Sequence, residues 1–227
     1  MKGKLMERTY HLDETVFDTL TPDSAYWIGY LMGDGNCSSE NKIRLCLARQ
    51  DRDLLEQFRI FVKSPDRPIK DFLCQNRYEQ SSFEFRSDYV LETLDCYGLR
   101  VLKSLRAAPQ LRLLKDEFVR DFVRGYFDAD GSCFYDGQNK QWLFAEITGY
   151  LPMLTVLRET LSKHGVIDET KKITKNGKIF RIRFPKEDAK KLFRFIYNGK
   201  SHYALSRKRK MVEAYFEKLG VKLYDEK

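Results

Sequence analysis

Two aspartates, Asp34 and Asp130, each followed by a glycine, close two matching nine-residue stretches that lie 96 positions apart. The stretches are 27–35, WIGYLMGDG, and 123–131, VRGYFDADG. Each has an apolar or aromatic body, small residues four positions apart, and then Asp-Gly. An acid that recurs at the same place in a repeated pattern is a candidate for shared chemistry. The positions that coincide are Gly29 with Gly125, Tyr30 with Tyr126, Asp34 with Asp130, and Gly35 with Gly131.

The small residues predict how the two carboxylates meet. Residues four apart lie on one face of a helix, so Gly29 and Gly33 form a smooth stripe on the first helix. Gly125 and Ala129 do the same on the second, and the two stripes can pack backbone to backbone. The glycine that closes each copy is expected to take the left-handed conformation at a helix C-terminus. Each acid then lies at the negative end of a helix dipole, where a carboxylate is disfavoured.

A hard divalent cation would resolve this conflict, because Mg²⁺ (or Mn²⁺) prefers oxygen ligands and keeps several waters. The predicted ligands are Asp34 and Asp130, with the carbonyl oxygens of Gly33 and Ala129. Two such ions near a phosphodiester would activate a water and stabilise the leaving oxygen in an in-line displacement. The alternative is that each Asp-Gly merely ends a helix, the common meaning of a lone Asp-Gly. That alternative leaves the duplication unexplained.

The basic faces of the predicted strands form a second group of candidate functional residues. Lys42 and Arg44 alternate with apolar residues in the first half of the chain, as do Arg181 and Arg183 in the second. A charged outer face is often merely solvated, but beside two metal-binding carboxylates it favours double-stranded DNA, whose major groove accepts a two-stranded ribbon. The predicted DNA contacts are Asn36, Ser38, Lys42, Arg44, Arg49, Arg77, Arg86, Ser132, Gln138, Lys140, Gln141, Lys175, Arg181 and Arg183.

A third, weaker set consists of Lys103, Lys208 and Gln50. A cation near the metals could stabilise the added negative charge of the transition state, which is the role considered for the two lysines. Both could instead be surface residues or contact phosphates. Gln50, with Arg49, ends the first inner strand and could order the attacking water, although the second half has Gly149 and Tyr150 there.

The elements that must position these residues follow the same order twice. Thr21-Pro22-Asp23-Ser24 is a helix start, and Asp51 is predicted to cap the helix that follows the strand at 42–49. Asn176-Gly177 is a two-residue hairpin turn, and a second hairpin is expected to turn at Asp136-Gly137. The order helix, hairpin, helix, hairpin, helix indicates an α+β fold: two pseudo-symmetric units, each a four-stranded antiparallel sheet backed by helices and packed through the motif helices.

Composition limits the class of protein. The 227 residues carry a net charge of +8, and residues 109–227 hold 25 Lys and Arg against 16 Asp and Glu, whereas residues 1–108 hold 16 against 17. This favours a polyanionic partner. Five scattered cysteines and three histidines indicate neither a disulfide framework nor a zinc site. With no long apolar run, we expect an intracellular, soluble protein with no membrane partner, in halves 1–108 (with a strap at 1–20) and 109–227, linked at about 99–114.

The sequence resembles the LAGLIDADG homing endonucleases in their single-chain, two-motif form. Besides the two nonapeptides, LARQDRDLLEQF, GLRVLKSLRAAP and YALSRKRK carry the likeness, which covers most of residues 21–215. The resemblance implies αββαββα units with saddle-shaped sheets over DNA, and Mg²⁺-dependent cleavage of both strands that leaves short 3′ overhangs. It implies that Asp34 and Asp130 bind metal, that Lys103 and Lys208 are the active-site basic residues, and that Gln50 or Arg49 organises water.

The sequence departs from the family pattern in two ways. Trp27, Tyr30 and Tyr126 make bulkier helix faces than the consensus, and Met32 stands where the second copy has Asp128. The Met32 position is not the metal ligand, so this departure does not count against activity. We therefore predict a monomeric, site-specific DNA endonuclease, encoded within an intron or intein and promoting its own copying. Two alternatives stay open: an RNA maturase that assists intron splicing, and a catalytically silent DNA-binding regulator.

Overall fold

The computed structural model describes residues 10–38, 40–99, 114–135 and 141–224. The first half contains α1 (Pro22–Asp34), β1 (Asn36–Cys37), β2 (Lys42–Ala48), α2 (Arg52–Phe61), β3 (Lys70–Cys74), β4 (Tyr78–Arg86) and α3 (Asp88–Cys96). The second half contains α4 (Val119–Asp130), β5 (Gly131–Tyr135), β6 (Leu143–Gly149), α5 (Leu151–Lys163), β7 (Thr174–Asn176), β8 (Ile179–Phe184), α6 (Lys186–Tyr197) and α7 (Ser206–Lys218).

Each half holds one four-stranded antiparallel sheet, with strand orders β1-β2-β4-β3 and β5-β6-β8-β7. The predicted α+β class is therefore confirmed. The alternation predicted for β2 is also confirmed, because Ile43, Leu45 and Leu47 are buried while Lys42 and Arg44 are partly exposed. Within the described residues, no helix is long and apolar enough to cross a membrane. The predicted linker core at 100–113 and the Asp136-Gly137 turn lie outside them.

The two motif helices, α1 and α4, pack against each other at the backbone. A Cβ atom placed on Gly29 would lie 2.1 Å from the carbonyl oxygen of Phe122, and one on Gly125 would lie 1.9 Å from that of Tyr26. Neither position has space for any side chain. The prediction that small residues allow backbone contact is thus confirmed, and this contact fixes how closely the helix ends approach.

The glycines that end the motif helices differ from prediction. Gly35 has φ −66° and ψ 137°, and Gly131 has φ −91° and ψ 162°, so both are extended and not left-handed. The chain passes directly from each helix into an edge strand and needs no reversal. Glycine is required for space instead, since a Cβ would lie 2.6 Å from the Leu31 carbonyl oxygen in the first copy and 2.4 Å from that of Phe127 in the second.

Helix starts are predicted correctly at α1 but not at α2. Thr21 and Ser24 form a reciprocal capping box at α1. Asp51 makes no side-chain cap on α2; it ends a short 3₁₀ turn (Arg49–Asp51), and its two carboxylate oxygens each accept from Nε of Arg207 at 2.9 Å. The carboxylate is therefore used to join the two halves of the molecule and not to begin a helix.

The second motif helix carries a buried polar face that the first lacks. Arg124 donates to the Asp121 carboxylate at 2.9 Å and to the carbonyl oxygens of Ile196 and Ser201. Asp121 in turn accepts from the backbone N–H groups of Lys200 and Ser201. The positions of α1 that match Asp121, Arg124 and Asp128 lie 96 residues earlier. They are occupied by the apolar residues Ala25, Ile28 and Met32.

This polar face holds residues 199–208, here called the crossover segment, against both halves. Asp128 Oδ2 accepts from the Tyr26 hydroxyl of α1 at 2.9 Å and from the Leu205 N–H at 2.8 Å. Tyr203 enters the aromatic core of the first half, with its ring centroid 5.1 Å from that of Trp27 and 6.1 Å from that of Phe61. The crossover segment therefore ties α4 to α1 and to the end of α2.

Gly125→Ala tests the backbone contact. In an ordinary helix interior this change stabilises a protein by roughly 0.5–1 kcal/mol, but here the methyl group would overlap the Tyr26 carbonyl. We expect the free energy of unfolding to fall by about 3 kcal/mol, the upper part of the range for overpacked cores. Urea denaturation measures it. An unchanged or increased stability would show that the helices do not touch at Gly125.

Candidate metal centre and nucleic-acid interface

The acids Asp34 and Asp130 end the two motif helices and converge where those helices touch. A Cβ on Gly33 would lie 2.4 Å from Cβ of Ala129 and 3.2 Å from Oδ2 of Asp130. The carboxylate of the second half thus lies beside the last turn of α1, one residue from Asp34. Asp34 is exposed and Asp130 is partly exposed, so both can be reached from solvent.

A buried tyrosine lies four residues before each acid. The Tyr30 hydroxyl donates to Oδ2 of Asp34 at 3.3 Å, and burial, followed by the Asp34 charge, raises the Tyr30 pKa well above its usual value. Burial and then Asp130 raise the Tyr126 pKa in the same way, with a smaller contribution from Asp34. Because Asp34 acts on both tyrosines, the negative charges of the two helix ends share one region of the molecule.

The chemistry of these donors fits a hard divalent cation. The two carboxylates and the carbonyl groups of Gly33 and Ala129, in the last turns of their helices, offer only oxygen atoms. Among residues 10–38, 40–99, 114–135 and 141–224, no group of three or more His, Cys, Asp or Glu side chains is arranged to hold a metal. Such a site would leave positions for water and phosphate, as Mg²⁺ prefers.

Lys208 is buried at the end of α4. Its Nζ atom donates to the carbonyl oxygens of Phe127 at 2.8 Å, Asp128 at 2.7 Å and Gly131 at 2.5 Å, which uses all three ammonium hydrogens. Burial lowers the Lys208 pKa, while the Asp128 carboxylate opposes this change. The ammonium group thus satisfies helix-terminal carbonyls next to Asp130. A role in charge stabilisation stays a prediction for Lys208, and Lys103 lies outside the described residues.

Gln50 and Arg49 lie in the 3₁₀ turn after β2, and both are exposed. Arg49 Nη2 is 3.8 Å from Oδ2 of Asp71 on β3. The next residue, Asp51, holds Arg207 and is one of the charges that raise the Tyr30 pKa. Gln50 is therefore placed beside a contact between the two halves. Sequence reasoning missed Arg207, although its signal was visible in the basic run SRKRK.

The predicted DNA contacts lie on strands and hairpin turns of both sheets. In the first half, Lys42 and Arg44 are on β2, Arg86 is on β4, Asn36 is on β1, Ser38 follows β1, and Arg77 is in the β3–β4 turn. In the second half, Ser132 is on β5, Gln141 precedes β6, Lys175 is on β7, and Arg181 and Arg183 are on β8. Gln138 and Lys140 lie outside the described residues.

Each sheet carries a glutamate among its outward arginines, which sequence reasoning missed. Glu84 is paired in register with Arg44 and lies 3.8 Å from its Nε atom. Glu146 is paired in register with Arg183 at 2.7 Å and also lies 3.5 Å from Arg181. The signal was the alternation of Glu with buried residues on β4 and β6. These faces therefore carry mixed charge, and less positive charge than the cations alone suggest.

Comparisons with known proteins identify the fold. No family model matches the sequence. One curated relative, the replication factor C small subunit of Methanocaldococcus jannaschii, is 28% identical over 109 residues, which are 47% of this chain and only 6% of that protein.

Several solved structures match over most of the chain. The LAGLIDADG meganuclease I-AabMI bound to uncleaved DNA is 14% identical (TM-score 0.55, 88% of this chain and 92% of that one). I-CpaMI bound to uncleaved DNA is 12% identical (TM-score 0.58, 90% and 94%). Full-length DUF199/WhiA from Thermatoga maritima is 13% identical (TM-score 0.51, 92% and 72%). The chain has the LAGLIDADG fold, as its motifs predicted.

Lys208→Met tests whether the buried ammonium group holds the end of α4. The substitution removes the ammonium donor from three carbonyls and the countercharge of buried Asp128. We expect a loss of about 3 kcal/mol in the free energy of unfolding, as for other broken buried pairs. Chemical denaturation measures the loss, with Lys210→Met, two residues along α7 and exposed, as the matched control. Equal stability of the two variants would contradict the contact.

Proposed function

We propose that this protein is a site-specific DNA endonuclease that hydrolyses both strands of a long target and thereby promotes the mobility of its intron or intein. The observation that carries the proposal is the convergence of Asp34 and Asp130 at the contact between the motif helices, where Asp130 Oδ2 would lie 3.2 Å from a Cβ on Gly33. The fold, shared with meganucleases bound to DNA, supports it. We further propose cleavage across the minor groove that leaves short 3′ overhangs.

In the proposed reaction, Asp34 and Asp130 hold Mg²⁺ (or Mn²⁺) with help from the carbonyls of Gly33 and Ala129. A bound divalent cation would supply a nucleophilic water at neutral pH and neutralise charge on the leaving oxygen. Gln50, exposed beside the Asp51–Arg207 pair, orders the attacking water. Lys208 keeps the backbone on both sides of Asp130 in place through its three carbonyl contacts.

Double-stranded DNA is the proposed partner, bound by a single copy of the chain across the outward faces of both sheets. DNA phosphates would compete with Glu84 and Glu146 for the arginines that these acids hold. Because phosphate contacts release condensed counterions, the affinity would fall steeply with salt. The second half has the larger excess of basic residues, with 25 against 16, and would contribute more to binding.

A non-catalytic binding protein is the second candidate function. It is supported by the fold likeness to full-length DUF199/WhiA, whose match covers 92% of this chain. In that case the function would not require Asp34 and Asp130 to bind a cation. An RNA maturase stays a third possibility, because intron RNA also offers phosphates to the basic faces.

Asp34→Asn and Asp130→Asn test the endonuclease proposal. The full chain is incubated with Mg²⁺ and DNA spanning the intron-free version of its host locus, and products are separated on denaturing gels. We expect each variant to cleave about a thousandfold more slowly, since a metal contributes several kcal/mol to such a transition state, while DNA binding persists. Asp66→Asn, at an exposed turn between α2 and β3, is the matched control and should cleave normally.

Two results would contradict the proposal. Binding of the DNA without cleavage by the wild type, in Mg²⁺ and in Mn²⁺, would favour the non-catalytic binding protein. Intact DNA together with faster splicing of the intron RNA would favour the maturase.

Glu146→Gln tests the mixed-charge DNA face. The change removes a carboxylate from the proposed interface and releases Arg181 and Arg183. We expect binding to duplex DNA to tighten by about three- to tenfold at low salt, with a steeper fall as salt rises. Fluorescence anisotropy measures both. Glu159→Gln, on the exposed side of α5, makes the same charge change elsewhere, and equal gains in the two variants would show that Glu146 does not face the DNA.

A further inference from the structure

The tyrosines of the two motifs do more than fill space between the helices. Each precedes its acid by four residues and therefore shares a helix face with it. The Tyr30 ring is buried, yet its hydroxyl reaches Oδ2 of Asp34 at 3.3 Å. Phenylalanine would fill almost the same volume, so packing alone does not account for the hydroxyl group.

Tyr126, the equivalent residue of the second motif, is held by a hydrogen bond to the neighbouring strand β6. Its hydroxyl donates its one hydrogen to the carbonyl oxygen of Thr148 at 3.1 Å. Thr148 Oγ1 donates back to the Asp130 carbonyl at 2.9 Å. A Cβ on the next residue, Gly149, would lie 2.4 Å from the hydroxyl oxygen of Tyr126. The neighbouring strand thus leaves room for this hydroxyl group.

Pairing of this kind is not general among the buried tyrosines of this protein. The hydroxyl groups of Tyr197 and Tyr215 are buried without a hydrogen-bond partner in the described part of the chain. Tyr30 and Tyr126 occupy equivalent positions in the repeat. The Tyr30 hydroxyl contacts the Asp34 carboxylate directly, whereas the Tyr126 hydroxyl is linked through Thr148 to the Asp130 backbone. A buried hydroxyl that is linked to the terminal acid in both copies indicates a shared task at the helix ends.

We propose that Tyr30 and Tyr126 are positioning residues that hold Asp34 and Asp130 for cation binding. Tyr30 acts by its hydrogen bond to the Asp34 carboxylate, and Tyr126 acts through Thr148 on the backbone of Asp130. A carboxylate that accepts a hydrogen bond at one oxygen keeps acceptor capacity at the other. Groups that orient metal ligands in this way commonly change metal affinity by ten- to a hundredfold. The proposal rests on the proposed function, because it assumes that the two acids bind a divalent cation.

Tyr30→Phe and Tyr126→Phe, alone and together, test it. Mn²⁺ is titrated into the full-length protein, and the free ion is followed by its electron paramagnetic resonance signal. We expect each change to weaken Mn²⁺ binding by about tenfold, and cleavage of target DNA to lose kcat with little change in KM. Tyr89→Phe is the matched control, since it removes a surface tyrosine–aspartate bond, 2.8 Å to Asp18, far from the motif acids in sequence.

The outcomes separate this proposal from the function on which it rests. If wild type shows no Mn²⁺ binding that Asp34→Asn weakens, the cation site and the positioning role both fail. If wild type binds in that Asp-dependent way but Tyr30→Phe binds equally well, the positioning role alone fails. Thermal unfolding of each variant identifies the temperature at which it is folded, and the titrations are made there. Tyr30→Phe, which leaves no backbone carbonyl without a donor, is the decisive variant.

Discussion

The backbone contact between α1 and α4 is the constraint on which the rest of the structure depends. Gly29 faces the carbonyl of Phe122, and Gly125 faces that of Tyr26, at distances that exclude a methyl group. Because each helix ends five residues beyond its contact glycine, the terminal acids must approach each other. The close packing that buries the helices thus concentrates negative charge at one point, and the chemistry of the protein follows from how that charge is used.

The two halves meet this constraint differently. In α4, Asp121, Arg124 and Asp128 form buried polar contacts that hold the crossover segment, and Lys208 closes the helix end. In α1 the matching positions are apolar, and Trp27 packs against Phe58 and against Tyr203 from the other half. Burial raises the Asp128 pKa, and the Lys208 charge opposes it, so the second helix depends on polar groups that must stay paired.

Local features were predictable from the sequence because they depend on nearby residues. The stripe of small residues, the Thr21 cap and the alternation in β2 each follow from spacing within a few positions. The bond from Asp51 to Arg207 was not predictable, since it joins residues 156 apart. Nor were the glutamates among the outward arginines of the sheets, because strand register decides which charges become neighbours. The extended form of Gly35 follows from the strand that continues after it, which a pattern of single residues does not reveal.

Tyr203 also has a consequence for synthesis of the chain. Its ring completes the aromatic core around Trp27 and Phe61 in the first half, but it is translated long after them. While the ribosome is still making the second half, the first half lacks this ring and retains exposed aromatic surface. Contacts so distant in sequence form late and slowly. The aromatic core of the nascent first half is therefore completed only when the last quarter of the chain has been made. A ribosome stalled before residue 203 would leave that core incomplete and prone to aggregation.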